Sequence, residues 1–194
     1  GKGRQIYVGP ESDDIEALKE KAKQAPDHDL PRLASAAIVH GCAPTVPLHF
    51  RIIRQLADAQ FFRAGGILVG AHAYIAMANM LGIRWTQSAR TQDIDFAHSG
   101  SKGNIALALP STLELDVHSV IDSLAMGFLP SLGLDGGDAG TYVSTRQKDL
   151  RIDFLTPQRR SDKPVKDPAL NVTLQPLKFL DYLIEKPTQA ALLS

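Results

Sequence analysis

The sequence predicts an α/β domain of the α+β kind, a mixed twisted sheet flanked by helices, behind a helical N-terminal region. Three observations carry this reading. Gly65-Gly66 leads into the apolar run Ile67-Leu68-Val69, too short for a helix and suited to a buried strand, and a helical apolar face follows at once. Asp93-Ile94-Asp95-Phe96 alternates acidic and apolar residues with the period of a half-buried strand. Tyr142 to Thr145 and Leu150 to Leu155 flank the polar stretch Arg146 to Asp149, the pattern of a hairpin ending at Pro157.

Size and composition bound the rest. A chain of 194 residues with 44% apolar content buries one good core and is too short for two full domains. Its 21 basic residues balance 21 acidic ones, so no global field draws it to a nucleic-acid backbone or an anionic membrane. Cys42, the single cysteine, has no partner for a disulfide or a C-x-x-C motif, which fits a reducing compartment. No apolar run approaches the ~20 residues of a membrane span, and GKGRQIYVGP lacks the apolar segment of a signal peptide, so a cytoplasmic protein without membrane contact is expected. The start at Gly1 and the end at PTQAALLS, soon after the patterned LKFLDYLIE, read as a trimmed chain whose helical C-terminal domain lies further on.

In chain order, Asp13 or Asp14 can cap a helix through Lys23, with Glu16 in its first turn and lysines toward its end. Prolines at 26, 31, 44 and 47 bound a short helix, LPRLASAAIVHG, and open a longer one from Pro47 to Phe62. Residues 1–62 therefore read as the helical region and 63–194 as the core. After the strand Ile67–Val69, a helix is predicted from His72 to Leu81, stopped by Gly82. A polar loop from Thr86 to Gln92 precedes the acidic strand. Residues 105–129 hold a helix from Glu114 to Met126, LGLDGGDAG is a loop, RRSDKPVKDP reads as a mobile loop, and the chain is helical again from Gln175.

The chemistry is concentrated in the acidic strands. The period of two puts Asp93 and Asp95 on one face, close enough to share a hard divalent cation that prefers oxygen ligands. Asp153, in the similar setting Arg151-Ile152-Asp153-Phe154, joins them if its strand is a neighbour, and three anions at one place suggest two metals. The strand Gly66 to Val69 runs through Gly70 into a helix whose first turn, Gly70-Ala71-His72, offers backbone N–H groups and a positive dipole end to phosphate.

These residues resemble the nucleotidyltransferase superfamily, of the DNA polymerase beta-like fold, whose signature is a strand, a Gly-Gly or Gly-Ser helix start, a D-x-D strand and a later single aspartate. Gly70-Ala71, Asp93-Ile94-Asp95 and Asp153 occur in that order. Thr91-Gln92-Asp93-Ile94-Asp95 is similar to the T-x-D-I-D form of uncharacterised bacterial members, as are Tyr7 to Pro10 and Leu177 to Leu183. The resemblance covers about residues 63 to 183. It departs at Ala71, where the family has serine or glycine, and in the long interval to Asp93, which carries Arg84, Trp85 and Arg90.

The resemblance implies transfer of a nucleoside monophosphate from a nucleoside triphosphate to a hydroxyl, with release of pyrophosphate. Asp93 and Asp95 would ligate both metals, Mg2+ or Mn2+, and Asp153 would hold the second and draw the acceptor's proton. Gly70, Ala71 and His72 are the candidate nucleotide-binding residues, with Lys102, Arg151 and Lys178 as candidate phosphate cations. The acceptor is open between a small molecule, an RNA and a protein. Two rivals stand beside this reading. One is a non-catalytic nucleotide- or protein-binding module on the same fold, which Ala71 favours. The other is a metal-dependent nuclease or phosphohydrolase, against which the glycine turn argues. His72 is equally a satisfied polar histidine, and Trp85 is more often a core residue than a base-stacking one.

Overall fold

The structure is a computed structural model that describes residues 30–84, 91–99, 115–133, 136–185, 188, 190 and 192–193. The helix expected after Asp13 or Asp14, the loop carrying Trp85 and Arg90, Lys102 and Glu114 lie outside the described residues. The chain forms two compact units, 1–41 and 42–194. In the first, the described element is helix α1 (Leu30–Val39), which buries none of its residues.

The second unit opens with helix α2 (Pro47–Asp58). Proline at its first position suits the fixed φ of a helix start. His49, Ile52, Ile53 and Leu56 fall at helical spacing and form its buried face. The helix stops at Asp58, four residues before the expected Phe62, because Gln60 takes a left-handed φ of 72° and turns Phe61 into the core. The buried residues of α2 join the core cluster of the sheet, and the helix falls within the second unit.

Strand β1 (Ile67–Val69) passes directly into helix α3 (Gly70–Met80). The helix closes as expected at Gly82, whose φ is +67°, with Ile83 N donating back to Ala78 O. Strand β2 (Asp93–Ala97) follows, and Thr91 Oγ1 accepts the Asp93 N–H at 3.1 Å where the strand begins. Helix α4 (Val117–Ser123) is capped by Asp116, which accepts from Ser119 N at 3.0 Å. Strands β3 (Phe128–Leu132), β4 (Asp138–Ser144), β5 (Arg151–Pro157), β6 (Val165–Asp167) and β7 (Val172–Leu177) precede the short helix α5 (Asp181–Ile184).

The seven described strands form one mixed sheet in which five follow the order β1-β2-β5-β4-β3, while β7 branches off beside β5 and carries β6. Strand β5 is parallel to β2 over Arg151 to Leu155, antiparallel to β4 over Arg151 to Asp153, and parallel to β7 over Leu155 to Pro157. Where β4 gives way to β7, a Cβ on Gly140 would stand 2.9 Å from Thr173 O and 3.0 Å from Gln175 N, so glycine lets three backbones meet there.

Ile94, Phe96, Ile152 and Phe154 occupy one face of the central strands and are fully buried under α2 and α4. Phe61 stands edge-on to Phe96 at 5.4 Å and to Phe154 at 5.9 Å, while Phe96 and Phe154 stack at 5.6 Å. The alternate residues Asp93, Asp95 and Ala97 face the other way, and Ala97 there joins a smaller cluster with Val69, Leu180 and Ile184.

Three expected segments differ. The helical stretch over 105–129 ends as α4 at Ser123, and Phe128–Leu132 is a strand that, among the described residues, pairs with β4 alone at the end of the strand order. The glycine-rich loop yields Asp138–Gly140 to β4, and Val165–Asp167 within the expected mobile loop pairs with β7. The helix predicted from Gln175 is strand through Leu177, because β5 offers unpaired backbone groups that β7 satisfies. Phe179, with φ at +65°, then breaks the chain direction before α5.

Candidate active site at the acidic strands

The face opposite the aromatic core gathers the acidic residues by register alone. Asp93 lies beside Arg151 and Asp95 beside Asp153 across β2 and β5, and Val69, the last residue before α3, pairs with Asp95 on the other side. Burial of Ile94, Phe96, Ile152 and Phe154 fixes this register, because a slip by one residue would drive the carboxylates into the core.

Asp93, Asp95 and Asp153 are thus brought to one place, with Gly70 against them. A Cβ on Gly70 would stand 2.1 Å from Asp95 Oδ2, and its φ of +65° is itself a glycine conformation. The first turn of α3 therefore begins in contact with the middle carboxylate. Its leading N–H groups, at Gly70, Ala71 and His72, belong to the turn that has no helical acceptors.

Arg151 lies among the acids. Its Nε meets Asp93 Oδ1 at 2.8 Å, its Nη2 donates to Asp93 Oδ2 at 2.9 Å, and Nε stands 3.5 Å from Asp153 Oδ2. The hydrogen bond to Asp93 and its charge hold the guanidinium more firmly protonated. Thr141 Oγ1 donates to Asp153 Oδ1 and leaves the other oxygen to face the group. Asp95 is pushed up to about 6, first by burial and then by repulsion from Asp153 and Asp93, with Arg151 offsetting part of this.

Could a divalent cation be held here? The donors are hard carboxylate oxygens from three adjacent positions, and the charge that raises Asp95 is the charge a cation would relieve. Among the described residues no three acidic, histidine or cysteine side chains already stand at metal-ligand spacing; the charge in their midst is the Arg151 guanidinium. The residue types fit Mg2+ or Mn2+, and Asp93, Asp95 and Asp153 would hold it.

The remaining expected nucleotide-binding residues divide. The His72 imidazole turns inward, 4% exposed, with Nε2 3.1 Å from Nδ1 of the equally buried His49. Burial, then the neighbouring His49, lowers the His72 pKa to about 4, and burial lowers that of His49 against a raising influence from Asp93. Only the backbone of His72 is left for phosphate. Lys178 is not brought to the acids. It lines a cleft of about 670 Å³ with Ser99, Gln158, Arg159, Phe179 and Tyr182, beyond the C-terminal ends of β2, β5 and β7. Asp93 and Arg151 stand at the opposite ends of those strands. Gln158 lies five positions after Asp153, roughly 16 Å of extended chain.

Two contributors were not anticipated. Thr141 falls in a strand whose first half reads as loop, so its pairing with Asp153 follows only from register. His49 shows no ligand spacing in sequence, and only the packing of α2 brings it to His72.

No curated protein and no solved structure matches the chain. A family model described as nucleotidyltransferase matches residues 48–194, a span that begins inside α2 and takes in all the described strands and Asp93, Asp95 and Asp153. The ordered glycine-led helix start, the D-x-D strand and the partner aspartate lie within that match, and the chain belongs to the nucleotidyltransferase family.

Proposed function

We propose that this protein moves a nucleoside monophosphate from a nucleoside triphosphate to a hydroxyl acceptor with release of pyrophosphate, using Mg2+ or Mn2+. The observation that carries the proposal is the register that sets Asp95 beside Asp153 and against Gly70. Bound divalent cations would supply charge neutralisation at the attacking and leaving oxygens.

The residues of the chain would do the rest. The first-turn N–H groups of α3 bind triphosphate oxygens. Arg151, once released from Asp93, binds a phosphate as a fork rather than a point charge. Thr141 orients Asp153 so that its second oxygen accepts the proton of the acceptor hydroxyl. The acceptor oxygen attacks the α-phosphorus, the bond to the bridging oxygen breaks, and pyrophosphate leaves with that electron pair. Lys102 is kept as a further phosphate cation on the family resemblance alone.

Incubation with each labelled triphosphate, magnesium and cellular RNA, protein or aminoglycosides tests the proposal. Label should move to one acceptor class with stoichiometric pyrophosphate, and Asp93→Asn plus Asp95→Asn should reduce transfer at least ~100-fold. Transfer that survives the double substitution contradicts it. Ala71, which lacks the hydroxyl that a serine would offer phosphate, favours one second reading, a non-catalytic nucleotide-binding module. Triphosphate binding without pyrophosphate release in any acceptor pool would support that module instead.

A further inference from the structure

We infer that Arg151 is a resident counter-cation of the acidic site, holding the carboxylates when no metal is bound and leaving them when one enters. The inference rests on reading Asp93, Asp95 and Asp153 as metal ligands. Arg151 and Asp93 are register partners on adjacent parallel strands, and Asp153 lies two residues further along the same strand as Arg151. The guanidinium therefore needs no loop or domain movement to reach both acids. It takes both Asp93 oxygens, at 2.8 and 2.9 Å, and approaches Asp153 Oδ2 at 3.5 Å. Those are oxygens a divalent cation would need, and two cations cannot share the same lone pairs.

Exposure says which partner moves. The Arg151 side chain is 51% exposed, against 33% for Asp93 and 14% for Asp153, so arginine can swing toward solvent while the acids stay. A released guanidinium remains on β5, across β2 from the start of α3 and at the same end of the sheet, where it can fork onto phosphate oxygens. Metal entry and triphosphate capture are then linked: the metal frees the arginine, and the phosphate that takes the arginine removes the metal's competitor.

The test needs no turnover. Mn2+ binding is followed by the paramagnetic resonance of free Mn2+, without nucleotide, in the wild type, Arg151→Gln, Arg151→Lys and Asp93→Asn plus Asp95→Asn. Arg151→Gln should bind Mn2+ on the order of tenfold more tightly than wild type. It should also melt lower in EDTA and recover with Mn2+. Arg151→Lys, which keeps the charge and loses the fork, should fall between. An Arg151→Gln protein that binds Mn2+ no more tightly than wild type overturns the inference, while loss of binding in the aspartate double variant would leave the metal reading standing. Mn2+ binding that the aspartate double variant retains would overturn the metal reading and the inference with it.

Discussion

Gly70 and Asp95 approach so closely that each constrains the other. Adding one methyl at Gly70 meets Asp95 Oδ2 and imposes a left-handed φ on an alanine, whereas Gly82, at nearly the same φ, has nothing within 4 Å of a Cβ. Gly82→Ala should therefore cost only the backbone term, about 1–2 kcal/mol. Gly70→Ala should exceed it in thermal melting and also reduce transfer roughly 100-fold, because Asp95 must move. Equal melting losses with transfer intact in Gly70→Ala would disconnect the glycine from the site. The histidine pair behaves differently. Burial first, and for His72 then its neighbour, depresses both imidazoles below their usual pKa, so the folded state prefers them neutral. For His72 that contribution is complete above the unfolded pKa of about 6.5 and is lost as pH falls toward about 4. The rise in Asp95 works in the opposite sense, so the comparison has to be between variants. His72→Gln should flatten the acid loss of stability between those pH values by roughly 2–3 kcal/mol while lowering stability near neutrality. A melting profile parallel to wild type would contradict this.

At the scale of elements, two strands and one turn decide where the chemistry sits. Ile94, Phe96, Ile152 and Phe154 lock β2 against β5, and Phe61, delivered by the turn after α2, packs edge-on against both Phe96 and Phe154. A Cβ on Gly66 would stand 2.1 Å from the Phe61 ring, so the glycine before β1 exists to admit that ring. Phe61→Ala should cost about 3–5 kcal/mol in denaturant unfolding, the scale of a fully buried aromatic removed from a close-packed core. A loss below 1 kcal/mol would mean the core collapses around the gap. The acidic strand was legible from sequence because strong alternation of acid and apolar residues over Asp93 to Phe96 has only one strand reading. Strand β3 was not, since it carries Pro130, leaves Leu129 and Leu132 exposed and lacks alternation, as an edge strand can. Strand β7 was hidden for a different reason: the helical spacing of Leu177 to Ile184 suggests a helix starting from Gln175, but pairing with β5 holds Gln175 to Leu177 as strand and leaves the helix to Asp181–Ile184.

The whole molecule is electrically neutral, with 21 charges of each sign, so its affinity for a charged substrate has to come from local arrangement rather than a general field. Three carboxylates and one guanidinium on a single sheet face are that arrangement. Their meeting was readable in advance only as a condition, that the strand of Asp153 be the neighbour of the D-x-D strand, and the parallel register meets it. What could not be read was anything requiring distant packing. His49 finds His72 across 23 positions, and Lys178 ends up beyond the far end of the strands although its sequence neighbours look like part of the same unit. No helix among the described residues is long and apolar enough to cross a membrane. The most direct measurement is anomalous scattering from crystals grown with Mn2+ and a non-hydrolysable triphosphate. A metal peak is expected about 2.1 Å from oxygens of Asp93 and Asp95, with Asp153 ligating the same ion or a second beside it. A metal bound elsewhere, with Asp153 still held by Arg151 and Thr141, would contradict it.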